Sequence, residues 1–484
     1  MTDLAFLPAT ELVGLLRRRQ ISSRELLALY LDRVQRLDGP INAVVTLDSE
    51  RATRRAAEAD EAAARDEWWG PLHGLPMTVK DTLETVGLRT TAGAEELADH
   101  VPGDDADAVA RLRSAGAVLF GKTNAPTYAM DAQTYNPVFG TTNNPWDTDR
   151  SPGGSSGGSA AALAAGLTGL EVGSDIGGSV RNPAHYCGVA GLKPTHGVVP
   201  IRGHIPGPPG SLSTPDLGVL GPMGRSCADL ALGLDVLAGP APDAAVAWHL
   251  SLPPARHAAL PDYRIAAWLD DPHCPVDDQV GDLLQAAVDA LGRAGAKVDD
   301  TARPVDLAES DRVYQQLLAA AVCNGVPPAL FDSLTELAGQ AAVDDDSFVA
   351  RQARNLTQRA RDWNRANEHR HRLKARWAAF FGEFDALLCP IVPTAALPHD
   401  QDRSVAERTI TVNGQSRPYL DQLVWAGMAT GPLLPAAVVP VGTTAAGLPV
   451  GIQIVAPYLA DRTAIDVAAR VTEVTGGYQP PPGF

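Results

Sequence analysis

Two glycine-rich stretches restrict the folds open to this chain of 484 residues. The first, Ser151 to Ser159, reads SPGGSSGGS, with four glycines and four serines in nine residues. It holds no apolar side chain with which to build a core, and glycine tolerates backbone conformations closed to other residues. A free linker has the same composition. The flanks argue against a linker, because Pro145, Trp146 and Pro152 stiffen the approach and an alanine-rich helix begins at Ser159. The second stretch, Gly173 to Pro183, reads GSDIGGSVRNP, and the apolar run Leu170 to Gly173 leads into it as a strand. Consecutive N–H groups beside Gly177 and Gly178 can converge on one point, making an anion nest or oxyanion hole with Ser179 at its edge. A plain glycine turn is the competing reading.

Around these stretches the hydrophobic pattern alternates between strand and helix. Ser22 and Glu25 have capping-box spacing before a helical stripe of Leu26, Leu27, Tyr30 and Val34. Residues 1–65 read as a helical N-terminal part, with a short strand over Asn42 to Leu47. Strands follow at Pro76 to Lys80 and Ala117 to Phe120, separated by a helix over Asp104 to Ser114. Ser226 to Leu237 is a further helix. Residues 200–216 read as a surface lid and 239–262 as a crossing connection, both rich in Pro, Gly and Ala. Residues 276–380 are mainly helical. Strands return at Ala386 to Cys389, Ala436 to Val441 and Val450 to Val455, before a closing helix over Arg462 to Val474. The expectation is an α/β fold with a mixed, mostly parallel central sheet covered by helices on both faces. The late strands are expected to join the early sheet, giving one domain over 1–484 with a mostly helical insertion or cap at 240–420.

Net charge is -17, which argues against nucleic acid and anionic lipid as partners. The basic run at 351–376, eight arginines and Lys374 against Asp362 and Glu368, reads as a solvated helix balancing this acidity. Five widely spaced cysteines read as reduced thiols in a cytoplasm. No CxxC or HExxH pattern calls for a metal, and no uninterrupted apolar run reaches the length of a membrane span.

A serine in either glycine-rich stretch needs a base to become a nucleophile. His73, His185 and His196 lie near in sequence, but none stands out. Of 40 basic residues only five are lysines, Lys80, Lys122, Lys193, Lys297 and Lys374. Lysine, unlike arginine, can be deprotonated by its surroundings. Lys80 ends an apolar strand, where desolvation favours the neutral form and lets it act as a base. The competing reading is an ion pair with Asp81. Two motif matches mislead. GAVLFGKT at Gly116 to Thr123 fits a phosphate-binding loop, but its centre looks like a strand. GSSGG around Ser156 fits a nucleophile elbow without the strand that must precede one.

Lys80 at a strand end, SPGGSSGGS and GSDIGGSVRNPAHYCGVAGLKPT together resemble the amidase signature family. The similarity runs on through GKTN and NPW upstream and LGPMGRS and GLPVGIQIV downstream, touching about residues 70–230 and 430–475. The resemblance implies a Ser-cisSer-Lys triad: Ser179 as nucleophile, Ser155 as the bridging serine on a cis peptide bond, and Lys80 as base. It implies oxyanion-hole N–H groups from Ile176, Gly177, Gly178 and Ser179, a structural charged pair of Asp175 and Arg181, and Ser156 as a supporting hydrogen-bonder. Cys187 matches a family cysteine that is not catalytic. The segment Ala129 to Gln133, with Ala129, Met130, Asp131 and Gln133, matches a position that lines the pocket in relatives.

The implied activity is hydrolysis of amide C–N bonds through a serine acyl-enzyme, extending to esters and carbamates (urethanes), with no cofactor or metal. The expected partner is a small-molecule amide, ester or carbamate, with the chain a monomer or homodimer and neither nucleic acid nor membrane involved. The alternative is the glutamine-hydrolysing subunit of a tRNA-dependent amidotransferase, from whose pattern the lid at 201–216 departs.

Overall fold

The computed structural model describes residues 3–342 and 344–484. The strands that matter for the site are, in chain order, β1 (Val44–Leu47), β2 (Pro76–Lys80), β3 (Val118–Thr123), β4 (Glu171–Asp175), β5 (Ala190–Lys193), β6 (Val219–Gly224), β7 (Arg264–Ala267), β8 (Lys297–Asp299), β9 (Ala386–Cys389), β10 (Ala436–Thr443) and β11 (Pro449–Val455). The helices are α1 (Ser23–Leu37), α2 (Gly157–Ala164), α3 (Arg181–Cys187), α4 (Cys227–Leu237), α5 (Leu307–Val322), α6 (Ala360–Phe380) and α7 (Asp461–Thr475).

An α/β architecture results, with a mixed eight-stranded sheet in the order β8-β7-β9-β11-β10-β5-β6-β4. β7 pairs in parallel with β8 and β9. From β9 through to β4 neighbours run antiparallel. Ala436 of β10 sits opposite Lys193 of β5, so the late strands do close onto the early ones. Every residue of β11 is buried, as in strands covered on both faces, and α3 and α7 pack against β10. The segment 240–420, expected to be mostly helical, gives this sheet β9, at the expected Ala386 to Cys389, and also β7 and β8, which were not expected. β7 and β8 are too short, at four and three residues, to show a period.

A second sheet of three strands, β1-β3-β2, lies beside the first. β2 pairs in parallel with β3, placing Lys80 opposite Thr123. β2 also packs on the edge strand β4, where Thr78 and Glu171 hydrogen-bond. α1 begins at a capping box of Ser22 and Glu25 and buries Leu26, Leu27, Tyr30 and Val34. Gly121, Lys122 and Thr123 lie inside β3, so the phosphate-loop match is a strand, as its apolar centre indicated.

Candidate active site

The two glycine-rich stretches meet where the small sheet abuts the large one. Ser155 and Ser156 immediately precede α2, while Ser179 lies between the end of β4 and the start of α3. The Gly154–Ser155 peptide bond is cis. A side chain at Gly154 would bring its Cβ within 2.6 Å of the Asp131 carbonyl oxygen, so only glycine fits there. Gly178 adopts φ of 100°, a left-handed value that glycine takes without steric cost.

Lys80 is buried, and its Nζ donates to Ser155 Oγ at 2.6 Å and to Ser174 Oγ at 2.9 Å. Burial pushes its pKa down to about 7, with the Asp175 charge opposing the shift. Asp81 does not pair with it. The Asp81 carboxylate instead accepts from Thr91 Oγ1 at 2.6 Å and lies 3.8 Å from Lys122 Nζ. Lys122 is held at about 8, where burial outweighs its neighbouring carboxylates. Desolvation therefore wins at Lys80 for the physical reason its strand-end position implied: no carboxylate among the described residues bonds to its Nζ.

Asp175 is the charge beneath the loop. Burial raises its pKa, but Arg181 outweighs that cost and holds it at about 2. Arg181 Nη2 lies 2.8 Å from Asp175 Oδ1 and also donates to Thr430 Oγ1, while Nη1 donates to the Ala426 carbonyl and to Gln453. Asp175 in turn accepts from the Gly178 and Val180 N–H groups at 2.9 and 3.1 Å. This corrects one expected donor, because the Gly178 N–H is taken by Asp175 and does not face a ligand. The N–H groups of Ile176, Gly177 and Ser179 carry no hydrogen bond among the described residues. The Ile176 carbonyl is fixed from behind by Tyr314 Oη at 3.0 Å. Ser156 Oγ lies 3.4 Å from both the Ser174 N–H and the Ser174 carbonyl. No hydrogen bond joins the Ser155 and Ser179 hydroxyls among the described residues, although both line one cavity of about 670 Å³. Such contacts commonly close only when substrate is bound.

A family model described as Amidase matches residues 25–465. The chain belongs to the amidase signature family. It is 34% identical to a glutamyl-tRNA(Gln) amidotransferase subunit of Salinispora tropica over 99% of this chain and 100% of that protein. It is 36% identical to the same-named protein of Thermus thermophilus, over 96% of this chain and 97% of the relative. A crystal structure of an amidase superposes with a TM-score of 0.79 at 27% identity, covering 96% of this chain and 99% of that one. These relatives overturn the expected partnership. Two full-length relatives carry the name of one subunit of an amidotransferase, which does not fit a monomer or homodimer acting alone on a small-molecule amide, ester or carbamate. None of the three names a carbamate or an ester.

The walls of the amidase-family cavity correct the segment Ala129 to Gln133. Ala129 and Met130 line the cavity, whereas Asp131 and Gln133 do not. Asp131 is drawn to Arg408 Nη1 at 2.6 Å and Tyr419 Oη at 2.7 Å. Gln133 binds the main chain of Asp400 in both directions. The buried carboxylate and carboxamide have taken protein partners, and only the small and apolar residues beside them face in. The lid supplies Ile201, His204, Ser211 and Asp216, and α5 and α6 add Val322 and Trp363.

His73 and His185 are bonded to main-chain groups through both ring nitrogens. His196 contacts the Pro215 carbonyl. Cys187 is buried and its thiol pushed up, an inert environment. Among the described residues no group of three His, Cys, Asp or Glu side chains gathers as metal ligands, and no helix is long and apolar enough to cross a membrane.

Sequence reasoning missed Ser174 and Tyr314. Ser174 was within reach, since strand alternation turns it to the opposite face from Asp175. Tyr314 comes from a helix far along the chain, and nothing local in the sequence marks it.

Proposed function

We propose that this chain is the amide-hydrolysing subunit of an amidotransferase-type assembly, cleaving the C–N bond of the glutamine carboxamide through an acyl-enzyme on Ser179. The observation that carries the chemistry is the 2.6 Å contact between Lys80 Nζ and Ser155 Oγ, with no carboxylate bonded to the same nitrogen among the described residues. The assembly is supported by the full-length relationship to two proteins named as subunits.

With Lys80 neutral, its lone pair accepts the Ser155 proton. Ser155 in turn takes the proton of Ser179 as that oxygen attacks the carbonyl carbon. The free N–H groups of Ile176, Gly177 and Ser179 stabilise the tetrahedral oxyanion. The relay then runs backwards, and the proton returns through Ser155 to the leaving nitrogen, which departs as ammonia. Water repeats the path to release the acid. Asp175 and Arg181 hold the loop and touch no reacting atom.

A second reading is favoured by the cavity walls. The lining carboxylates, Asp175 and Asp216, are both paired with arginines, and among the described residues no lysine or arginine lines the cavity. An amide with an uncharged acyl group suits that lining.

The test is ammonia release from glutamine by the purified chain, alone and with co-expressed partner proteins, beside a panel of anilides and primary amides. A fluorophosphonate is mapped to its residue in parallel. The expected results are glutaminase activity and a label on Ser179. Label on Ser156 sinks the assignment of the nucleophile. Turnover of anilides with no glutaminase activity in any combination removes the amidotransferase reading and leaves the acyl-enzyme chemistry standing.

A further inference from the structure

The peptide planes of the loop after β4 are held one by one. A trans peptide carries its carbonyl and the following N–H in one plane, pointing opposite ways. Fixing the carbonyl therefore aims the N–H. The bonds from Asp175 to Arg181 are trans. The Gly178 carbonyl accepts from the Asn182 N–H at 2.6 Å, in the first turn of α3, and this turns the Ser179 N–H the other way. The Gly178 and Val180 N–H groups are taken by Asp175. The plane that carries the Gly177 N–H has no main-chain tie among the described residues. Its carbonyl, from Ile176, is held by a side chain, the Tyr314 hydroxyl at 3.0 Å.

Tyr314 reaches the loop from α5, and the fold is shaped around it. Its ring is fully buried, and burial raises the phenol, so the hydroxyl keeps its proton. A side chain at Gly427 would bring its Cβ within 2.3 Å of Tyr314 Cδ1, and one at Gly177 within 3.2 Å of Tyr314 Oη. Gly427 lies in the helix Val424–Thr430, whose Ala426 carbonyl and Thr430 hydroxyl bind Arg181. The tyrosine and the arginine that steadies Asp175 thus share one seat. Packing alone does not call for the hydroxyl, since a phenylalanine ring fills the same space. A buried hydroxyl is costly unless it is bonded, and this one is bonded to the plane that no main-chain group fixes.

We propose that Tyr314 is a positioning residue that aims the Gly177 N–H at the oxyanion by holding the Ile176 carbonyl from the opposite side. It touches no reacting atom. Without the hydroxyl the plane can rock about its flanking torsions, and Gly177, having no side chain, resists little. A donor stabilises the transition state to the extent that it already points at the developing charge. The inference rests on the proposed acyl-enzyme on Ser179 and on this loop as its oxyanion hole.

The experiment compares the wild type, Tyr314→Phe and Tyr314→para-aminophenylalanine, the last of which restores a donor in nearly the same volume. A nitroanilide gives kcat and KM. The trifluoromethyl ketone of the same acyl group gives an inhibition constant for the tetrahedral state, because it adds to Ser179 and places an oxyanion in the loop. Fluorophosphonate labelling counts the active sites. The expected result in Tyr314→Phe is a fall of about tenfold in kcat per labelled site with a matching loss of ketone inhibition, about the worth of one hydrogen bond. KM should stay within about threefold. The para-amino variant should recover part of both losses. KM and the inhibition constant do not depend on the folded fraction, so they carry the test if Tyr314→Phe folds poorly. Ketone inhibition that is unchanged, or weakened no more than KM, means that the ring only packs α5 against the loop, and overturns the proposal. Equal losses in both variants overturn it as well. In these cases wild-type label on Ser179 leaves the nucleophile intact, whereas absence of that label removes the reading beneath the proposal and the proposal with it.

Discussion

At the floor of the cavity Lys80, Ser155, Ser174, Asp175 and Arg181 are buried, and the polar groups are held by one another. At the roof, the lid and the segment after α5 carry more half-buried and exposed residues, with Leu212 in the lid and Leu330 in the helix Pro328–Gln340 among the exposed apolar side chains. The roof is held by few polar ties, such as the Gly210 N–H on Glu84 and the pair of Arg370 with Asp216. Moving any floor residue strands a buried charge or hydroxyl, which is expensive. Moving a roof residue breaks contacts that water can replace. The floor is therefore the part that chemistry fixes, and the roof the part free to set which amide enters.

The largest effects should follow from floor substitutions. Lys80→Arg keeps the cation but cannot titrate, and it should lower amide turnover by about three orders of magnitude, on the scale of losing a general base. Circular dichroism would check that the variant folds. On the proposed mechanism the reactive form is the neutral lysine, and burial brings its pKa near 7 from its ordinary 10.5. Amide kcat/KM should thus be low in acid, rise as pH passes about 7 and then level. A Lys80→Arg enzyme with near-wild-type amide turnover would make Lys80 a structural cation and erase the contrast between floor and roof.

A smaller effect, on stability, should come from Asp175→Asn. It leaves Arg181 buried beside a neutral amide, a class of change that costs ~3–5 kcal/mol, readable by chemical denaturation. The sign of the pH dependence is fixed by the direction of the shift. Asp175 is depressed from 3.8 to about 2 in the fold, so its contribution is complete above about pH 4 and is lost as pH falls towards 2. The stability gap between wild type and Asp175→Asn should therefore narrow across that acidic window. A gap that stays constant there would mean that the pair does not hold the loop electrostatically.

The same contrast explains what could be read from the sequence. Floor residues lie in two short stretches and one strand end, and their chemistry demands fixed residue types at fixed places. Lys80, Ser155, Ser174, Asp175 and Arg181 accordingly converge in space. The mixed α/β sheet was legible because buried strands such as β11 are apolar at nearly every position. Of the strands that 240–420 gives to this sheet, Ala386–Cys389 was legible, but β7 and β8 were not, at four and three residues being too short for a period to emerge. Roof residues come from the lid, from α5 and from α6, separated by long stretches of chain, and any small or apolar side chain can serve. Asp131 and Gln133 were misread because sequence proximity to Met130 says nothing about Arg408, Tyr419 or Asp400, which the fold brings in from far along the chain.

The mildest test falls on the roof itself. Asp216 lines the cavity, and Arg370 Nη1 meets its two oxygens at 2.7 and 2.9 Å. Arg370→Met keeps much of the side-chain volume of α6 but leaves the Asp216 carboxylate unbalanced in the wall. The pair is partly exposed at Asp216, so screening limits its worth to about 1 kcal/mol or less. For an uncharged amide the expected outcome is a change in KM of about twofold to fivefold, with kcat nearly unchanged. A substrate carrying a negative charge should suffer more, through repulsion by the exposed carboxylate. Added salt should narrow the difference, and Asp216→Asn in the same background should restore KM, because removing the charge removes the cause. If instead kcat collapsed in Arg370→Met while KM held, the roof would be coupled to the base and nucleophile, and the division of labour between floor and roof would have to be abandoned.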